Sequence, residues 1–406
     1  MTKQHVGRRK LAARLAIAGV AVATTAAGTA AASAPPDTVS DATASDATVS
    51  DATVSDATVS AEGSGPDGTS GASGITISDE RCAENEAAGT ITYLSSFDFA
   101  AAAGIVDVVV ADANGYFEAL CLDVDMVPSF STANYTLIAA GEGQFSAAGS
   151  YTEILNNTAE GAEFLALVDY GKTPIEALIT PDGGATTLEE LEGSTVGVKG
   201  DLPPSVVAML AGAGLERGSD YDEVLLDGFD PVVHLESGID ALPVYKSNEP
   251  GQLDAQGIAY NIFDPVDFDI PGTFGILYTS ASFAEEHPTA VEDFIRASLQ
   301  GMADAIADPE AAAQVAFEAI EAAGNQNYLV LEGETFRWQA ESAEVIAGTP
   351  EGDPIGLIDP DLFQAEYDAY VDAGVWPDGA PEFGEYFDAE LAASLYDENG
   401  EVVWPD

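Results

Sequence analysis

The chain reads as an α/β protein, and three observations predict that class. From Thr90 onward, short apolar runs alternate with stretches of helical periodicity. Helix-start signals recur between those runs. The hydrophobic fraction, 46%, is that of a globular chain able to bury a core.

In chain order, the strand candidates are Thr90–Leu94, Leu122–Val127, Phe164–Val168, Thr195–Val198, Glu223–Leu226, Ile239–Val244 and Phe274–Thr279. Helical patterns fall between them at Ile105–Phe117, Tyr135–Ala140, Ser205–Leu210 and Pro231–Glu236. Thr187-x-x-Glu190 and Thr289-x-x-Glu292 fit capping boxes. Asp308-Pro309 and Asp359-Pro360 place a capping Asp before a proline suited to the first helical position. After Thr289, the residues Val291, Phe294, Ile295, Met302 and Ile306 share one helix face, and the chain stays helical with breaks to about residue 370. Asn399-Gly400, between Leu395-Tyr396 and Val402-Val403-Trp404, is a hairpin turn signal.

Ahead of this region lies a different kind of sequence. Gly7-Arg8-Arg9-Lys10 opens a basic stretch, an apolar run follows from Leu15 to about Ala27, and Ala30-Ala31-Ala32 fits a cleavage site. Residues 1–34 therefore read as an export signal of either the general secretory or the twin-arginine type. Export implies an extracytoplasmic location, and Ser33 stands where a lipid-modified cysteine would be expected. From Asp37 to Ser60 the chain repeats units such as Asp46-Ala47-Thr48-Val49-Ser50, and a Gly/Ser/Pro-rich stretch runs on to Gly74. One Val per unit builds no core, so residues 35–86 are assigned as a disordered acidic linker rich in Ser, Thr, Ala and Gly. It reads either as a stalk or as drift in low-complexity sequence.

The charge excludes some functions. The chain has 12 Lys plus Arg against 70 Asp plus Glu, a net charge of −58. Five of the cations belong to the export signal, which leaves seven and a net charge near −63. Nucleic-acid and polybasic membrane-surface binding both need Lys and Arg in number and are set aside. Cys82 and Cys121 are read as a structural disulfide, with two buried thiols as the alternative. Two cysteines with only His234 and His287 beyond residue 34 argue against a zinc site. Asp264, Asp267 and Asp269 are a candidate calcium loop, and His234 reads as a packing or surface residue. The G-x-S-x-G, P-loop, H-E-x-x-H and EF-hand patterns do not occur, and Gly141-x-Gly143 reads as a helix C-cap turn.

Several segments carry a family resemblance. They are Ile91-Thr92-Tyr93-Leu94-Ser95-Ser96-Phe97, Gly115-Tyr116-Phe117, Leu122-Asp123-Val124 and Ala139-Ala140-Gly141-Glu142-Gly143-Gln144-Phe145. Thr187 to Val198 and Asp240-Ala241-Leu242-Pro243-Val244-Tyr245-Lys246-Ser247-Asn248-Glu249-Pro250 extend the series. In this order the chain resembles, over about residues 90–310, the solute-binding proteins of ABC importers. The branch is the one that takes thiamine pyrimidine precursors, riboflavin and sulfonates. Cys121 and Ser194 depart from the family pattern, where glycine and lysine are usual.

The resemblance implies a two-lobed periplasmic-binding-protein type II fold, with a ligand closed between the lobes by hinge motion and a permease as partner. The expected layout is lobe 1 at 87–178, lobe 2 at 179–275, and a return to lobe 1 with C-terminal helices and a terminal hairpin at 276–406. Crossings are expected near Ile175–Thr180 and Phe274–Thr279. A monomer with no cofactor and no enzymatic activity is expected. The alternatives are a binder of sulfonates or other small solutes and, further off, a pyrimidine-synthase-like enzyme.

Ligand groups should come from loops after strands. The candidates are Phe97, Asp98 and Phe99 after the first strand, and Ser131 and Thr132, beside Phe130, after the second. Gly149, Ser150 and Tyr151 open the helix after the fourth strand, and Tyr245, Asn248 and Glu249 come from the second lobe. Aromatic faces with Asp98, Asn248 and Glu249 suit a flat nitrogen-rich heterocycle whose N–H groups the carboxylates accept. The scarcity of Lys and Arg argues against an anionic ligand.

Overall fold

The computed structural model describes residue 72 and residues 74–405. The expected export signal and the five-residue repeats lie outside the described residues. The expected linker runs to residue 86, yet Asp79–Glu86 is a helix, α1, whose first turn is capped by Ser78. Its sequence, DERCAENE, has no apolar face to announce it. Polar bonds hold it instead. Arg81 forks onto Asp293 at 2.7 Å through both Nε and Nη2. Asn85 donates to Asp293 and to the Leu120 carbonyl, both at 2.7 Å. Cys82 and Cys121 form a disulfide.

The first lobe runs β1 (Thr90–Leu94), α2 (Val106–Ala113), α3 (Tyr116–Ala119), β2 (Asp123–Val127), α4 (Ser131–Ala139), β3 (Phe145–Ala148), α5 (Tyr151–Ala159) and β4 (Phe164–Gly171). The second runs β5 (Glu176–Pro181), β6 (Thr195–Val198), α6 (Pro204–Gly212), β7 (Asp222–Leu225), α7 (Pro231–Glu236), β8 (Leu242–Tyr245), α8 (Glu249–Ala255) and β9 (Tyr260–Phe263). The chain then returns through β10 (Phe274–Ser280), α9 (Ala281–Glu286), α10 (Pro288–Ala307), α11 (Pro309–Ala323), α12 (Leu331–Gly348), α13 (Pro360–Asp372) and α14 (Ala389–Ser394).

The lobe 1 sheet has the order β2-β1-β3-β10-β4, with β10 antiparallel to both its neighbours. In lobe 2, β5 lies between β8 and β9, and β6 pairs with β7. A bridge from Val196 to Ala241 sets β6 beside the start of β8. The chain therefore changes lobe twice, through residues 172–175 and 264–273. The two segments expected as crossings are the strands that follow them, so boundaries at 178 and 275 fall inside β5 and β10. The short β3 and β9 escaped the strand reading because Phe-Ser-Ala-Ala and Tyr-Asn-Ile-Phe carry no alternation. With β3 counted, α5 follows the third strand of the chain.

Two caps differ from the capping-box reading. Pro288 takes the first position of α10, so Thr289 sits inside the helix and donates to Glu84 at 2.9 Å. Thr187 makes no side-chain cap; Glu190 instead accepts the Thr186 N–H at 2.8 Å. Asp308 and Asp359 cap α11 and α13 as expected. The terminal turn closes through a Tyr396–Val402 bridge.

The largest core fills lobe 1 and includes Phe117, Phe145 and Phe294, whose rings stack, with Phe145 and Phe294 at 3.9 Å. Gly301 lets α10 lie against α2, because a Cβ there would stand 2.1 Å from the Asp107 carbonyl. Trp338 of α12 is fully buried in the same core and donates to the Ala305 carbonyl at 2.7 Å. A separate core built on Val196, Met209 and Leu210 fills lobe 2. One helix spans both lobes: α12 accepts N–H groups of Ala101 and Ala103 from lobe 1, and pairs with Lys246, Ser247 and Asn248 from lobe 2.

Candidate functional site

A cavity of about 360 Å³ lies between the lobes. Its walls are built by the loops after β1, β2, β3, β6, β7 and β8, together with one face of α12. Among the residues expected to bind ligand, Phe97, Ser131, Thr132, Gly149, Tyr245, Asn248 and Glu249 line it. Four do not, and each has a physical reason. Asp98 adopts φ +47°, which sends Phe97 and Asp98 in different directions. Its carboxylate, 4% exposed, accepts the Phe99 N–H at 2.9 Å and Asn327 Nδ2 at 3.3 Å. Phe99 packs with Ile105, Val109 and Ile320 in a small core. Ser150 is the N-cap of α5, and Tyr151 is buried against Phe363 with ring centroids 4.0 Å apart.

Aromatic rings from both lobes meet at this cavity. Phe97 sits edge-on to Phe130 at 5.5 Å and to Phe229 of lobe 2 at 6.5 Å. Phe229 is 64% exposed and Tyr245 46%, so both rings keep apolar surface free at the cavity edge. Phe229 follows β7 and Lys199 follows β6, so the rule that placed the other loop residues also reaches these two. Arg337 and Glu341, one helical turn apart on α12, carried no comparable sequence signal.

The charges are arranged in pairs. Glu249 is 1% exposed; one oxygen bonds Lys199 and the other accepts the Tyr245 N–H at 2.9 Å. Both oxygens are thus engaged, which removes Glu249 as the open acceptor that the sequence reading expected. Arg337 donates to Glu334 at 3.3 Å and to Asn248 Oδ1 at 2.9 Å. Glu153 accepts the Tyr135 hydroxyl and the Gly149 N–H on the same oxygen, Oε2. Glu341 links the lobes: Oε2 accepts the Ala103 N–H and Oε1 the Ser247 hydroxyl, both at 2.7 Å. Burial pushes its carboxyl above the usual range. Of the seven Lys and Arg residues that follow residue 34, two, Lys199 and Arg337, lie in the cavity wall. Scarcity of cations in the chain does not translate into absence from the site, though each has a carboxylate partner.

Next to the return crossing, Glu366 of α13 is 1% exposed and accepts the Thr152 N–H at 2.9 Å, the Thr152 hydroxyl and, at 2.6 Å, the Thr273 hydroxyl. Burial pushes it up to about 7. Elsewhere, Asp264 caps the turn at Pro265–Phe268 and pairs with Lys246 at 3.0 Å. Among the described residues no group of His, Cys, Asp and Glu is arranged to hold a metal ion. His234 is buried away from the cavity with Nε2 3.0 Å from the Asp227 carbonyl.

The family model described as "NMT1/THI5 like" matches residues 103–312. The chain belongs to the NMT1/THI5-like family. This NMT1/THI5-like chain is 28% identical over 239 residues to the riboflavin-binding protein RibY of Chloroflexus aurantiacus, a stretch that is 57% of this chain. It spans 65% of that relative's length. Among solved structures it is similar to the periplasmic aliphatic sulphonate binding protein SsuA from Escherichia coli, with a TM-score of 0.55 and 12% identity. That match covers 73% of this chain and 90% of the other. The alkanesulfonate-binding SsuA from Xanthomonas axonopodis pv. citri, bound to MOPS, matches with a TM-score of 0.52 and 14% identity over 72% and 96% of the chains. These likenesses establish the periplasmic-binding-protein fold for this family member. The matched stretch ends before α12, so Arg337 and Glu341 come from outside it.

Proposed function

We propose that this chain is an extracytoplasmic solute-binding protein that delivers a small heterocycle to the permease of an ABC importer. The observation that carries this reading is the interlobe cavity of about 360 Å³, edged by Phe97 and Phe130 from lobe 1 and by Phe229 and Tyr245 from lobe 2. Rings from opposite lobes that sandwich a flat solute favour the closed arrangement over the open one. The export signal read at residues 1–34 and the kinship with a riboflavin-binding protein support the same reading. Binding rather than catalysis fits a wall in which Lys199, Glu249, Arg337 and Glu341 are each held by protein partners. We take the folded part, in two lobes, to act as a monomer.

The choice between a flavin-like ring and a thiamine pyrimidine precursor is made by experiment. Native mass spectrometry of the protein as purified from its source is expected to show a co-purified heterocycle. Titration with riboflavin is expected to quench flavin emission as the ring stacks between aromatics. If neither heterocycle binds and alkanesulfonates alone raise the thermal midpoint, the heterocycle reading fails.

A further inference from the structure

The polar atoms of the cavity wall are unevenly used. The amide of Asn248 has its Oδ1 fixed toward Arg337, because a guanidinium only donates. Its Nδ2 has no partner among the described residues, and neither has Nη1 of Arg337. The Lys199 ammonium has three N–H groups and, among the described residues, donates only to Glu249. All three residues line the cavity, and all three belong to lobe 2 or α12. On the lobe 1 side, Glu153 keeps Oε1 without a donor among the described residues. The wall thus offers spare donors on one side and a spare acceptor on the other. Its cations are matched by Glu249 and Glu334.

We propose that the site takes a neutral planar heterocycle with two carbonyl acceptors along the edge facing Lys199, Asn248 and Arg337, and an N–H or O–H group facing Glu153. This rests on the solute-binding reading and narrows it. An imide edge fits; an amine-bearing pyrimidine has no carbonyl, and the amine beside its ring nitrogen sets a donor against donors, while a free sulfonate brings a charge that the already paired cations leave uncompensated. A buried donor left without an acceptor is what makes such sites selective against a ligand of the wrong polarity.

The test compares three probes by isothermal titration on the folded protein: lumichrome, which carries two carbonyls, a 4-aminopyrimidine, and an alkanesulfonate. Lumichrome is expected to bind at least ten-fold tighter than either of the others. Asn248→Asp replaces Nδ2 by an acceptor while keeping the bond from Arg337, and is expected to weaken lumichrome about ten-fold with the thermal midpoint retained. Arg337→Lys keeps a charge beside Glu334, loses the fork, and is expected to act in the same direction. Tighter binding of the aminopyrimidine or the sulfonate, or an Asn248→Asp protein that binds lumichrome unchanged, overturns the inference and leaves a solute-binding protein. Binding of none of these, nor of riboflavin, overturns the proposed delivery of a heterocycle itself.

Discussion

Replacing Glu366 by Gln isolates one buried carboxyl at the return crossing. In the folded protein it sits at about 7, against an ordinary value of 4.5. Between those values the folded chain holds the proton and the unfolded chain has released it, so stability falls as pH rises through that window. Below about 4.5 both states are protonated and the contribution is present in full. The difference corresponds to roughly 3 kcal/mol, or about 6 °C in thermal midpoint for a chain of this size. Gln keeps the side chain's shape, its carbonyl accepts the Thr152 donors, and its amide meets the Thr273 hydroxyl, which can accept. Urea unfolding of both proteins at about pH 5 and about pH 8 reads the effect. The two are expected to be similar at the lower pH, with the native sequence losing about 3 kcal/mol more at the higher. Asp107 and Glu176, pushed by burial to about 7, titrate in both proteins and cancel in the difference, whereas Asp169, pushed to about 6, repels the Glu366 carboxylate and adds a smaller loss to the native sequence alone. Parallel losses in the two proteins would refute the assignment.

Other perturbations have equally definite outcomes. Reducing the Cys82–Cys121 bond, which closes a segment of 39 residues, is expected to cost roughly 3 to 4 kcal/mol in denaturant unfolding. Lys199→Met leaves Glu249 buried with only the Tyr245 N–H, and is expected to lower stability by about 2 kcal/mol because the partly exposed lysine gives up solvent-screened attraction. Phe229→Ala is expected to weaken ligand about ten-fold in titration while shifting the thermal midpoint little, since the ring is exposed. With a net charge of −58, the thermal midpoint is expected to climb as monovalent salt is raised, in a scan from low to physiological ionic strength.

The α/β alternation was readable because β1, β6 and α7 are bounded by strong turn residues and carry the right periodicity within themselves. Sites that depend on one strand's end were readable for the same reason, which is how Phe97, Ser131 and Tyr245 came to light. Backbone direction was the first limit: nothing in Phe97-Asp98-Phe99 announces that Asp98 takes a positive φ and turns its carboxylate out of the cleft. Pairing was the second. Glu249 looks like an open acceptor until Lys199, 50 residues earlier, is seen to occupy it. Distance along the chain was the third, since Arg337 and Glu341 reach the cavity on a helix whose periodicity speaks only of core packing. Helix α1 was hidden because covalent and ionic bonds, not an apolar stripe, hold it.

The arrangement at α1 also fixes how this molecule answers a mechanical pull. Tension arriving along the chain ahead of Cys82 does not have to peel a helix of eight residues from the surface. It passes through sulfur to Cys121, two residues before the edge strand β2, and enters the sheet there. The clamp of Arg81 and Asn85 on Asp293 shares it with α10. Under thiol reduction the same pull would meet only those polar bonds, so resistance to a pull from this end becomes a property of the redox environment around the protein.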